Sequence, residues 1–158
     1  MDKVALILTM ISALGSGLIA GIFYIFSTTI MKAFAKLPAL EGIAAMNSIN
    51  VVIINPMFLG VFLGTALTSA ILVVLSLFRW QQPGSGYVLA GAILYIAGSI
   101  LVTMILNVPL NDALVAAPSD TDLWTKYLSD WTFWNHIRTV ASILSTALLT
   151  ISLVVASK

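Results

Sequence analysis

The sequence predicts an all-α integral membrane protein, a four-helix bundle running up-down-up-down. Three observations carry this. First, 60% of the 158 residues are hydrophobic and only 8% are charged, with a mean hydropathy of +1.08, whereas soluble domains carry about 25% charged residues. Second, the uncharged runs are long enough to span a bilayer, which takes about 20 apolar residues each. Third, length and run count together leave room for four spans and no separate soluble domain, so residues 1–158 read as a single transmembrane domain. The lipid bilayer is therefore a partner. The net charge of +1, with no basic cluster, gives no reason to expect nucleic acid. There is no cysteine, which excludes disulfides, iron–sulfur clusters, zinc–thiolate sites and thiol relays.

Span one covers about residues 4–31. Ala33-Phe34-Ala35 resembles a small-x-small cleavage site, but the run before it is about twice the length of a signal-peptide core and Asp2 offsets Lys3, so a retained helix is expected. Gly17-x-x-x-Gly21, continued by Tyr24 and Thr28, is a small-residue stripe that predicts tight packing within the bundle and also offers a face for a homo-oligomer. The next uncharged run, Gly42 to Phe78, would make a helix of about 55 Å, too long for a core of about 30 Å. Its first third holds Asn47, Ser48, Asn50 and Asn55-Pro56. We therefore divide it into a helical approach segment, Glu41 to Asn55, and span two, about 56–78, with a break near Pro56. Arg79 to Gly86 is a turn by its Pro and Gly content. Span three, about 87–106, is expected to break close to Asn107 because Pro109 disfavours helical geometry at Val108. A polar loop follows, whose Trp124 and Tyr127 suggest a short helix on the membrane surface. Span four covers about 132–156.

Antiparallel spans bring the end of span one, the start of span two, the end of span three and the start of span four to one side. The unusual polar residues cluster at those four places: Tyr24, Ser27 and Thr28; Asn47, Asn50 and Asn55; Asn107, Asn111 and Asp112; Asn135, His136 and Arg138. The pattern predicts a polar pocket at one membrane face, lined from all four helices. An ionisable group within a membrane helix is costly and marks function by default, which puts Arg138 first. Trp131, Trp134, Asn135 and Arg138 follow i, i+3, i+4, i+7 spacing and share a face, continued by Ser142, Ser145 and Thr146. His136 lies about 150° from Arg138's face on a regular helix, so it reaches the same pocket only if the helix is irregular. Each of these residues alone also has a plain reading, as a helix anchor, interfacial aromatic, cap or interhelical glue. A metal site is not expected: one histidine with Asp112 and another carboxylate is too thin a ligand set.

Asn107-Val108-Pro109-Leu110-Asn111-Asp112, followed by Trp131-x-x-Trp134-Asn135-His136-x-Arg138-Thr139, resembles the anthrone oxygenase-like family of small membrane proteins. Met46-Asn47-x-x-Asn50 and Asn55-Pro56-x-Phe58 are similar to its second-helix pattern, and Gly21-x-Phe23-x-x-Phe26-Ser27 to its first. The resemblance implies a four-helix membrane protein and, from the fungal members, oxidation of polyketide anthrones by O₂ without a cofactor. Many bacterial members have no assigned activity. Such chemistry needs a base, a cation or donors for an oxyanion, and a dry aromatic pocket. His136 would be the base, and Arg138 with the asparagine amides would hold the enolate. Asp112 would orient His136 or Arg138. Trp131, Trp134 and Tyr24 would stack on a flat ring, with Asn47, Asn50, Asn107, Asn111 and Asn135 completing the substrate site.

The reading that follows is an oxidoreductase or oxygenase acting with O₂ on a small, flat, apolar aromatic substrate (anthrone-, phenol- or quinone-like), with no cofactor. The alternative is a non-enzymatic binding or accessory protein whose polar end is a docking surface. A deep pocket near Arg138 favours the first and a flat polar end the second. Transport would call for polar groups through the full bilayer depth, and here they thin out to Ser and Thr past mid-span. The expected location is the bacterial inner membrane, with cytoplasmic termini because the acidic loop looks external.

Overall fold

The computed structural model describes residues 2–156. Four helices are long and apolar enough to cross a membrane: α1 (Lys3–Phe34), α3 (Pro56–Phe78), α4 (Ser85–Ala116) and α5 (Thr121–Ala156). A shorter helix, α2 (Ala39–Val52), precedes α3. The long helices form a square ring in which α1 touches α3 and α5, and α4 touches α3 and α5, so all neighbours run antiparallel. This is the up-down-up-down bundle of a multi-pass membrane protein. At 1.5 Å per residue α3 is about 35 Å long, and its three partners run about 13–20 Å further. The approach segment fills the difference: α2 packs on α4 and α5 at the end where α3 falls short.

Local chemistry sets the ends. Asp2 caps α1, accepting from the Ala5 N–H at 2.8 Å, and pairs with Arg79 in the turn after α3. Asn55 caps α3, accepting from the Phe58 N–H at 3.0 Å while its Nδ2 donates to the Val52 carbonyl at 2.9 Å. Pro56 takes the first helical position, where no N–H is needed. Asp120 caps α5 through the N–H groups of Asp122 and Leu123.

Two expectations are corrected. Helix α4 does not break near Pro109; it continues to Ala116. The reason is a pair of wide turns just before the proline, Ile96–Leu101 and Thr103–Asn107, in which hydrogen bonds reach five residues back; the Val108 N–H, for example, donates to the Thr103 carbonyl. Wide turns of this kind are frequent at functional sites, and here one takes up the missing proline N–H without ending the helix. Likewise Trp124 and Tyr127 do not lie on a separate surface helix. They are the first turns of a continuous α5, stacked on one another at 5.6 Å and joined by Trp131 at 6.3 Å from Tyr127.

Packing differs along the bundle. Between the level of Ser99 and the termini, small residues at close approach surround an apolar cluster of Ala13, Leu72, Val88, Ala92 and Leu149. Ser99 and Ser142 share a hydrogen bond at 2.5 Å, and Ser12 donates to Thr68 at 2.7 Å. A Cβ on Gly98 would collide with Ala141. The Gly17 stripe fits this picture only in part: Gly17 meets Thr146, while Gly21 has nothing within 4 Å and faces outward. At the other end an apolar cluster of Met31, Ile43, Met46, Leu114, Trp124, Tyr127 and Trp131 ties α1, α2, α4 and α5 together. Gly42 lets α2 lie flat on the Trp124 ring, since a Cβ there would sit 2.6 Å from the indole.

Candidate functional site

Arg138 is 5% exposed. Its depth follows from helix rise: Asp130, Asp112 and Lys32 are the nearest charged residues above Arg138, Thr103 and Phe23, so this level lies about 12–14 Å below the charged edge of the bundle. The guanidinium is held by neutral groups alone. One NH₂ donates to Asn135 Oδ1 at 2.6 Å, the other to Thr103 Oγ1 at 3.1 Å. Its plane lies over the Phe23 ring at 4.3 Å and near the Trp131 ring at 5.0 Å. Nε is buried with no hydrogen-bond partner, and among the described residues no carboxylate pairs with it. A buried cation without an anion carries a large uncompensated desolvation cost.

The supporting groups are arranged around that cation. Asn135 donates from Nδ2 to the Phe23 carbonyl at 2.7 Å and to Ser27 Oγ at 2.6 Å, so its oxygen is committed to Arg138. Ser27 lies within the wide turn Phe26–Ile30 of α1, and Phe23 just before it. Asn107, at the end of the wide turn in α4, donates to the Trp131 carbonyl at 3.2 Å and keeps a buried oxygen unpartnered. Asn111 Oδ1 accepts from both Tyr127 Oη at 2.8 Å and Trp131 Nε1 at 2.9 Å, which fixes the amide and leaves its NH₂ for the space it borders. Asn50 sits beside the Tyr127 hydroxyl, and its Nδ2 is buried without a partner.

These groups surround a cavity of about 410 Å³, within the range of small-molecule sites. Phe23, Phe26, Phe58, Phe62 and Trp131 supply aromatic walls; Arg138, Asn50, Asn111 and Thr103 are its polar points. Among the lining residues there is no carboxylate, histidine or lysine.

Of the residues singled out by sequence, Arg138, Trp131, Asn50 and Asn111 line the cavity, with Asn107 and Asn135 directly behind them. The others do not join. His136 is exposed on the outer side of α5, where the helical phase puts it, because α5 is regular there. Asp112 is exposed one position beyond Asn111 and pairs with neither His136 nor Arg138. Trp134 packs edge-on against Phe133 at 4.9 Å. Tyr24 is 55% exposed and borders a shallow outer groove with Gly17, Gly21 and Thr146. Asn47 has a buried, unpartnered Oδ1 outside the cavity lining. Sequence reasoning did not pick out Thr103, Phe23, Phe58 or Phe62 as site residues. The spacing Phe23, Phe26, Ser27, which puts all three on one helix face, was the available signal for α1. Among the described residues no three His, Asp or Glu side chains come together.

The family model described as anthrone oxygenase matches residues 57–148, more than half of the chain. The chain belongs to the anthrone oxygenase family. The matched stretch runs from the first turn of α3 into the second half of α5 and includes Phe58, Phe62, Thr103, Asn111, Trp131 and Arg138. Phe23 and Asn50 lie outside it. No curated protein and no solved structure matches the chain.

Proposed function

We propose that this anthrone oxygenase family member oxidises a flat, apolar aromatic ketone of the anthrone class with O₂, holding the substrate as its oxyanion against Arg138. The observation that carries this is the buried guanidinium without a protein anion, set in the wall of an aromatic cavity. The bound substrate supplies the missing negative charge. An anthrone carries a ring CH₂ opposite a ketone; loss of one proton from that carbon moves charge onto the ketone oxygen. Arg138 Nε and the NH₂ groups of Asn50 and Asn111 are the donors available to it, and pre-aligned donors in a dry site stabilise such an oxyanion strongly. Phe23, Phe58, Phe62 and Trp131 hold the ring system. Asn135, Asn107 and Thr103 position these groups.

No general base lines the cavity, so the proton is made acidic by Arg138 and passes to a water enclosed with the substrate, not to His136 or Asp112. The electron-rich anion then gives an electron to O₂, and the radical pair joins at the ring carbon as a peroxide anion, which takes that proton back to become the hydroperoxide. Loss of water from that carbon leaves the second carbonyl. The balance is ring CH₂ plus O₂ giving ring C=O plus H₂O. We also read the chain as one transmembrane domain of the bacterial inner membrane with cytoplasmic termini, which a topology reporter fused after Lys158 checks. The cavity walled by Arg138 supports the enzyme reading over a docking surface.

The test is turnover of an anthrone by purified protein in lipid vesicles, with quinone absorbance and O₂ uptake followed together. Equal molar consumption and formation are expected. Arg138→Gln is expected to lower kcat by about 100-fold or more, the scale of losing an oxyanion partner, with folded yield unchanged. Turnover intact in Arg138→Gln rejects the proposal.

A further inference from the structure

We propose, on the basis of that reading of the site, that the substrate reaches Arg138 sideways from the hydrocarbon of the bilayer, through a gap between α3 and α4. The aqueous end of the cavity is closed. Met46 and Trp131 form its ceiling, and above them the cluster of Met31, Ile43, Leu114, Trp124 and Tyr127 is packed shut, with Phe34, Leu110 and Leu128 sealing its margins. On this proposal the pocket expected at the membrane face is roofed by α2 and the first turns of α5 and opens to the side.

The side is open. Helix α3 packs along α4 between Ser85 and Leu101, and the two part over the wide turn Thr103–Asn107. Three residues of the cavity wall are also outer surface: Ile54 is 69% exposed, Leu63 53% and Met104 59%. All three are apolar. Met104 lies eight residues before Asp112, and Leu63 seven residues into α3, so this part of the rim is about 10–12 Å from those helix ends, while Ile54 marks its outer end beside the Asn55 cap. At that depth the surrounding medium is lipid chains. An apolar, uncharged rim there admits a neutral, lipid-soluble ring system and rejects a hydrated ion. The substrate would therefore pass the rim as a neutral molecule and ionise only on reaching Arg138. The part of the protein with an anion-seeking group is thus screened from aqueous anions by its own route of access.

The test uses the vesicle-reconstituted full chain and anthraquinone, a flat lipid-soluble probe, with saturable quenching of tryptophan fluorescence followed by stopped flow. Leu63→Phe combined with Met104→Phe narrows the rim. Association and dissociation are both expected to slow by about tenfold, the dissociation constant changing far less, because a gate alters rates in both directions. Leu67→Phe adds the same bulk elsewhere on the lipid face of α3 and is expected to leave both rates unchanged. Unaltered rates in the double variant, or weakened affinity at an unaltered association rate, overturn the lateral route while leaving the site intact. Absence of saturable quenching in the unmodified chain overturns the reading of the site itself, and the route with it.

Discussion

Between Ser99 and the termini the bundle is held by small residues at close approach around a cluster of Leu72, Val88 and Leu149; on the other side of Ser99 it is held by aromatics, wide turns and amides. In the first half Ser99, Ser142, Ser12 and Thr68 close hydrogen bonds with one another, and Gly98 brings α4 against Ala141. In the second half lie all three wide turns or their boundaries, the cavity, and the buried unpartnered atoms of Asn50, Asn107 and Arg138. Both halves sit in the same bilayer and are built from the same helices. What differs is that the first half leaves the hydroxyls of Ser69 and Ser145 buried without a partner amid close packing, whereas the second gathers wide turns, unpartnered amides and a buried cation in one place, as functional sites do. The first half fixes the geometry that the second half needs.

The comparison is sharpened most by giving Arg138 an anion of its own. Thr103→Asp puts a carboxylate where a hydroxyl now lies 3.1 Å from the guanidinium. Turnover is expected to fall by about 100-fold, since the oxyanion site is then occupied, while folded yield is kept. Thr103→Asn, without charge, is expected to stay within about tenfold of the unmodified chain, on the scale of one hydrogen bond. Equal losses in the two variants would show that shape, not charge, matters there.

The tight half breaks differently. Gly98→Leu forces α4 off Ala141 and is expected to destabilise the fold by about 1–3 kcal/mol, the range for overpacking. Thermal unfolding in detergent checks this, and turnover per folded molecule should be unchanged. Smaller still is the effect of the two titratable residues that sequence placed in the site. His136→Ala and Asp112→Asn are each expected to leave kcat within about twofold, since exposed side chains away from special contacts rarely matter. A large loss in either would mean that α5 or the end of α4 turns toward the cavity during the reaction.

The least effect is expected at the terminal edge. The Ala5 N–H, aided by the Arg79 charge, holds the Asp2 carboxyl below its ordinary value of 3.8. A carboxylate with a lowered folded value stabilises above the unfolded value and loses that contribution as pH falls through the folded one. Asp2→Asn should therefore lower the unfolding midpoint slightly at pH 7 and leave it unchanged at pH 2, measured by circular dichroism.

The bundle was legible in the sequence because run length against bilayer thickness decides spans, and Asn55-Pro56 marks a helix start by chemistry local to it. Helical phase turned Trp131, Asn135 and Arg138 inward, but it put Trp134 on the same face and left His136 open, and neither lines the cavity. Pro109 was misleading because the wide turn before it absorbs the missing N–H, and such turns leave no mark in local sequence. The partners of Asn135 on α1, Phe23 and Ser27, are more than 100 residues away and could not be read from spacing. Nor could the roof, which depends on how α2 lies across Trp124. The asparagines announced that something polar was gathered at one end; only their hydrogen bonds tell which of them face the cavity.

The central claim, that Arg138 binds its substrate as an anion, has a direct optical readout. A hydroxyanthraquinone, whose colour changes on ionisation, can be bound to the reconstituted protein at a pH where it is neutral in lipid. The account predicts the spectrum of the anion in the unmodified chain and of the neutral form bound to Arg138→Gln. The neutral spectrum in both would contradict it.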